Sequence, residues 1–303
     1  MKNGQCWLDD SGKLIQAHGG MIARFGEKWY WYGENKDIDN CVRDGKLTSR
    51  VDVVGVSCYS STDLHTWHYE GLALSAVKDQ PGHLLSPERV CERPKVIFSK
   101  KTGKYVMWFH CDSADYTFAH AGCAVSDTPE GPFEFLYAKL PNGRDCRDMT
   151  VYEDPTDGNA YLVHSGDWNK TMYFSQLNEE RTDFTGVCFA QMPDQQREAP
   201  ALIYHEGKHY CVTSGCTGWA PNSALYSTCE HISTGMRLID NPCEGENYRN
   251  TFGAQSTYIF EADGQAYLML DHWVPQDLRH SAYSFLPISF ENGRMTVRWV
   301  DEF

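Results

Sequence analysis

The chain is a succession of short apolar runs separated by glycine-containing turns, and one such unit returns five times. Each copy opens on a polar anchor, continues as a near-continuous apolar run, turns at a glycine and resumes in a second apolar run that starts with an aromatic. The copies read HGGMIARFGEKWYWYGE from His18, ERPKVIFSKKTGKYVMWF from Glu92, RDMTVYEDPTDGNAYLVHSGD from Arg147, EAPALIYHEGKHYCVTSG from Glu198 and QSTYIFEADGQAYLMLD from Gln255. The anchors His18, Glu92, Asp148, Glu198 and Gln255 precede Tyr30, Tyr105, Tyr161, Tyr210 and Tyr267 by 12 or 13 residues, with Gly26, Gly103, Gly158, Gly207 and Gly264 between. Unbroken apolar runs predict strands covered on both faces, and each glycine predicts a tight hairpin whose turn requires positive φ. Helical periodicity is not sustained anywhere in the chain.

Successive anchors lie 50 to 74 residues apart, close to the roughly 40 to 50 residues of a propeller blade once loops are allowed for. Five units use up the sequence, so the expected fold is all-β, a single-domain five-bladed β-propeller over residues 1–303. A strand near Cys6–Leu8, together with one near Met295–Trp299, is expected to close the ring in the last blade. Because the innermost strand of each blade faces the axis, the anchors should converge on one pocket. Two Glu, one Asp, one Gln and one His would then share a cleft, where like-charged carboxylates raise one another's pKa and keep one protonated as a general acid. Glycosidic bond cleavage needs such an acid, with a second group across the ring to activate water. The competing reading is that anchors merely satisfy backbone groups at strand starts.

Composition narrows the partners. With 27 Lys and Arg against 41 Asp and Glu, a formal charge of -14 opposes a phosphate backbone, so no nucleic acid partner is expected. A neutral oligo- or polysaccharide is compatible with that charge. No apolar run is long enough to span a membrane and the N-terminal residues lack a secretion signal, which reads as cytoplasmic. Twelve cysteines are scattered singly with no C-x-x-C spacing and read as reduced thiols. The histidines lack ligand spacing, so neither a metal site nor a cofactor is expected. Oligomeric state is not legible.

Longer strings carry a resemblance. QAHGGMI with WYWYGENK, CERPKVIFSKKTGKYVMW, CRDMTVYED, REAPALIYHEGKHYCVTSGCTGWAPN and TFGAQSTYIF resemble glycoside hydrolase family 43, most closely its exo-β-1,3-galactanase (galactan 1,3-β-galactosidase) branch, over nearly the whole chain. The resemblance implies a five-bladed propeller and hydrolysis with inversion by an Asp base in blade one, an Asp modulator in blade three and a Glu acid in blade four. Glu198 in REAPA matches the acid and Asp148 in CRDMT the modulator. The blade-one base is missing, since His18 stands where the family usually has Asp. The galactanase branch shares that departure and the Gln at the fifth anchor, which makes Gln255 the candidate to hold the attacking water, through an imidic-acid tautomer. Glu92 is the alternative base or, by the resemblance, binds galactose hydroxyls; His18 binds sugar or backbone. Glu34, Tyr116, Asp167 and Thr217 match sugar-binding positions. Trp219 and Trp273 are candidates to stack on a galactose ring, a role with which core packing competes, and Asp167 and Asp271 read equally as turn or strand-end residues.

The function so implied is release of galactose from β-1,3-galactan or its oligosaccharides. No carbohydrate-binding module fits in the chain, which points to short oligosaccharides. The alternatives are a family 43 α-L-arabinofuranosidase or β-xylosidase, and a sugar-binding propeller without catalysis.

Overall fold

A computed structural model describes residues 1–303. Five antiparallel sheets are arranged around an axis, and their inner strands are His18–Phe25, Val90–Ser99, Met149–Glu153, Arg197–His205 and Gln255–Ala262. These five touch one another in sequence around a closed ring, with the fifth meeting the first. Four blades have four strands, and the last has five, because the short strand Cys243–Glu244 adds in parallel outside Arg294–Arg298.

Each blade begins with the predicted hairpin, in which Ala23 pairs with Tyr30, Phe98 with Tyr105, Tyr152 with Tyr161, Ile203 with Tyr210 and Phe260 with Tyr267. The five turn glycines all have φ between +64° and +83°, and a Cβ at Gly26, Gly103, Gly207 or Gly264 would meet no atom within 4 Å. What glycine avoids there is backbone strain, not a clash.

The unbroken apolar runs have a direct cause, since every blade is sandwiched between two others. Neighbouring residues of one strand point to opposite faces. Met21 packs into the core between blades one and two, and Ile22 into the core between blades five and one. Val96 and Ile97, Val151 and Tyr152, Leu202 and Ile203, and Ile259 and Phe260 divide in the same way. Five apolar clusters result, one in each gap between blades, in place of a single central core. Burial of these faces, at about 25 cal/mol per Å² of apolar surface, holds the ring together.

Ring closure differs in detail from the sequence expectation. Arg294–Arg298 does join the last blade, but Cys6–Leu8 does not pair with it, and Leu8 bridges only to Leu14. The latch is the preceding segment: Gln5 bridges to Tyr283, Lys2 to Glu302, and the backbones of Met1 and Phe303 exchange two hydrogen bonds of 2.9 Å. Trp7 is drawn instead into the aromatic core against Trp31 and Phe285. Its indole is buried there, while its carbonyl accepts the Ile15 N–H at 2.9 Å. All twelve cysteines are free thiols.

Candidate active site

The heads of the inner strands meet at one end of the axis. Just after the anchor the hairpin register slips, between His18 and Met21, Glu92 and Lys95, Glu198 and Ala201, and Ser256 and Tyr258. Gly19, Arg93 and Ala199, each following its anchor, have φ of 57°, 55° and 53°. Such bulges bend a strand and re-aim its side chains. Gly19 also lies so close to Glu34 that an added Cβ would stand 2.3 Å from its Oε1.

A cavity of about 270 Å³ opens there, lined by Glu34, Glu92, Arg93, Tyr116, Asp148, Glu198, Gly218, Trp219, Gln255 and Trp273. Four of the five anchors therefore share one pocket. His18 does not line it: the ring is fully buried, with Nε2 3.3 Å from Gln16 Oε1 and 3.2 Å from the Tyr283 hydroxyl, and Nδ1 3.5 Å from Asp271. Stacking on Tyr283 turns His18 away from the cavity and makes it part of the wall behind Trp273. Asp271, buried, receives the Gly19 N–H at 3.2 Å.

One guanidinium organises the remaining polar groups. Arg93, 5% exposed, grips Asp148 with Nε at 3.0 Å and Nη2 at 2.9 Å, and Nη2 also donates to Gln255 Oε1 at 2.6 Å. Gln255 Oε1 accepts a second bond, from Trp273 Nε1 at 3.0 Å. Both partners are donors only, so the amide oxygen must face them. Its Nε2 therefore points the other way, donating to Glu198 Oε1 at 3.0 Å and Ser214 Oγ at 2.9 Å. Asp148, Gln255 and Glu198 are thus strung along a single hydrogen-bonded path. Sequence reasoning missed Arg93, although it stands beside an anchor; the anchor period marks one residue per blade, and only the bulge brings the next one inward as well.

The two glutamate anchors differ sharply. Burial, and then the negative charge of Asp148, push the Glu198 carboxyl up to about 8, against the opposing pull of Arg93, Cys216 and Gln255. Glu198 is a protonated acid at neutral pH. Burial would raise Glu92 too, but His110 and Lys36 outweigh it and hold that carboxylate at about 2. Tyr116 donates to Glu92 Oε1 at 2.8 Å, and His110 Nδ1 lies 3.4 Å from its Oε2. The other His110 nitrogen meets buried Asp112 at 2.8 Å, and between these carboxylates the imidazole is raised to about 9 despite its burial. Glu34 is bound by Lys36 at 2.6 Å and by the Arg93 N–H at 3.0 Å.

Trp219 and Trp273 form one wall, packed edge to face at 5.2 Å. Trp219 Nε1 donates to Ser49 at 3.0 Å, tying the blade-four loop to the long connection inside blade one. Asp167 and Thr217 lie outside the cavity lining: Asp167 accepts from the Tyr173 hydroxyl, and Thr217 bonds Ala220 O and Asn222 within its own turn. No group of three His, Cys, Asp or Glu residues is placed to hold a metal ion.

A propeller whose axial pocket pairs a protonated carboxyl with an ion-paired one, beside an indole wall, has the equipment of a glycoside hydrolase. The chain belongs to glycosyl hydrolases family 43, whose model matches residues 22–250. It is similar to solved structures of the same family. A family 43 β-1,3-galactosidase solved with galactodeoxynojirimycin is 33% identical, with a TM-score of 0.92 over 100% of this chain and 99% of that one. An exo-β-1,3-galactanase from Phanerochaete chrysosporium, solved with β-1,3-galactotriose, is 30% identical (TM-score 0.90) over 99% of this chain and 67% of its own. Another, from Clostridium thermocellum, is 31% identical (TM-score 0.87) over 99% of this chain and 65% of its own. No curated protein matches the chain.

Proposed function

We propose that the protein is an inverting exo-β-1,3-galactosidase that releases galactose from the ends of β-1,3-galactan or its oligosaccharides. The observation that carries this reading is the path Asp148–Arg93–Gln255–Glu198, set in a pocket whose solved relatives act on or bind β-1,3-galactosides. Glu198 protonates the glycosidic oxygen as the bond breaks; Gln255 holds its Oε1 at 3.0 Å, and Oε2 has only the longer 3.5 Å contact with Asn169 Nδ2. Asp148 keeps that proton in place by its charge, while Arg93 neutralises enough of Asp148 to stop Glu198 becoming too weak an acid.

Gln255 is the candidate to handle the attacking water. All four hydrogen-bonding positions of its amide are filled, so one partner yields when water arrives. Donation from Arg93 and Trp273 to Oε1 polarises the amide and makes its N–H more acidic. Once Glu198 has given up its proton, the Nε2 proton passes to Glu198 and a water proton passes to Oε1. This restores the acid, delivers hydroxide to the anomeric carbon and leaves Gln255 as its imidic-acid tautomer; proton return from oxygen to nitrogen then resets the amide. Glu92, at about 2, is too weak a base for that step and suits the role of acceptor for galactose hydroxyls.

The test is hydrolysis of β-1,3-galactobiose beside aryl α-L-arabinofuranoside and aryl β-xyloside, with the first-formed galactose followed by proton NMR. The α anomer from galactobiose is expected. Turnover of the aryl pentosides alone would refute the galactosidase reading, and a β anomer would refute inversion.

A further inference from the structure

Trp168 is outside the lining of the catalytic cavity, next in the chain to Asn169, which contacts Glu198, and is 66% exposed. It is the middle of three consecutive non-glycine residues with positive φ, Asp167 at 51°, Trp168 at 57° and Asn169 at 62°. Such strained backbone persists only where its surroundings impose it. Here Asp145 accepts the N–H groups of both Asp167 and Trp168, the latter at 3.0 Å, and is itself paired with Arg147. The Arg147 guanidinium sits 4.3 Å from the centroid of the Trp168 ring, backing one face, and reaches the carbonyl of Tyr116 at 3.3 Å. An indole braced on one face and open on the other is a prepared stacking surface.

Its neighbours fix which side of the cleavage point it serves. Arg147 precedes Asp148 in the chain, and Asn169 Nδ2 is 3.5 Å from Glu198 Oε2. The acid that protonates the departing oxygen lies against the leaving group, so a side chain in contact with the Glu198 carboxyl puts the loop 167–169 on the leaving-group side. A pyranose has an apolar C–H face that matches an aromatic surface. Resting on the galactosidase reading above, we propose that Trp168 is the platform of a leaving-group subsite, stacking a galactose ring beyond the one held in the axial cavity.

The test uses Glu198→Gln, which stops turnover, as the background for calorimetric titration with β-1,3-galactotriose and, separately, with galactose. Adding Trp168→Ala should weaken the trisaccharide about tenfold, the size of a lost stacking contact near 1.4 kcal/mol. Galactose affinity should change by less than about twofold, and Trp168→Phe should restore most of the trisaccharide binding. In the active enzyme Trp168→Ala should raise KM for the trisaccharide more than it lowers kcat. Unchanged trisaccharide affinity, or an equal loss for both sugars, would overturn the subsite. Failure of the unsubstituted enzyme to cleave β-1,3-galactobiose is a separate result: it would remove the galactosidase reading, and the subsite with it. The indole is mostly in solvent, so its removal leaves no core cavity, and unchanged circular dichroism is expected.

Discussion

Glu92 and Glu198 occupy the same place in their repeats, at the head of an inner strand and just before a bulged residue of positive φ, yet one is a firm anion and the other an acid of about 8. Position in the fold does not account for this, since burial alone raises both. What differs is the company each keeps. Glu92 faces two buried cations, His110 and Lys36, and a phenol. Glu198 faces the amides of Gln255 and Asn169, while the nearest cation, Arg93, is spent on Asp148. A repeated scaffold thus supplies equivalent carboxylates, and their neighbours divide the labour between binding hydroxyls and giving a proton.

The most drastic way to break this division is Glu198→Gln, which should lower kcat by about 10³-fold or more, in line with loss of a general acid, while leaving galactose affinity nearly unchanged in a direct binding assay. Arg93→Met should come next, lowering kcat by about 10²-fold, since it frees Asp148 and Gln255 from their shared partner. It should also move the alkaline limb of kcat/KM upward, because Arg93 is one of the groups pulling Glu198 down. Asp148→Asn sharpens the comparison in the opposite sense. The alkaline limb, expected near pH 8 in the native enzyme, should fall toward the ordinary carboxylate range as the adjacent charge is removed.

On the other side of the pocket, His110→Asn should leave Glu92 and Asp112 without their shared cation. An increase of about tenfold in KM is expected, larger than the change in kcat, with a stability loss of about 3 kcal/mol in urea unfolding. The pH dependence of that stability has a defined sign. A histidine raised to about 9 in the folded state, from about 6.5 unfolded, contributes fully below 6.5 and loses the contribution as pH rises through 9. His110→Asn should therefore flatten the fall in stability over that window. The smallest effect should come from Gly207→Ala at the far end of blade four's inner strand. With φ at +83° and no atom within 4 Å of the new methyl, it should cost about 1 kcal/mol in stability and leave kcat unchanged.

Much of the ring was legible because repetition writes itself into sequence. An anchor, a glycine and a tyrosine return in each blade because every inner hairpin solves the same packing problem. The features that broke the pattern were harder to see. Arg93 is out of phase with the anchors and is turned inward by a bulge that no residue type announces. His18 is in phase, but aromatic stacking on Tyr283 and the nearby Asp271 draw it into the wall. Asp167 and Thr217 sit in loops where local hydrogen bonds decide direction, and Trp168 hides in the same loop as an ordinary exposed residue. At the ring's seam the bridges fall on Lys2 and Gln5, a few residues before the apolar run that suggested a strand, while Trp7 is buried.

Carbon-13 NMR titration of the glutamate side chains reads the contrast between the two anchors directly. One glutamate carboxyl should titrate near pH 8 and vanish from the spectrum in Glu198→Gln, while the Glu92 resonance stays that of an anion down to about pH 2. If every glutamate titrated in the ordinary range near 4, or if the high value persisted after Glu198→Gln, the division of roles between the two anchors would be contradicted.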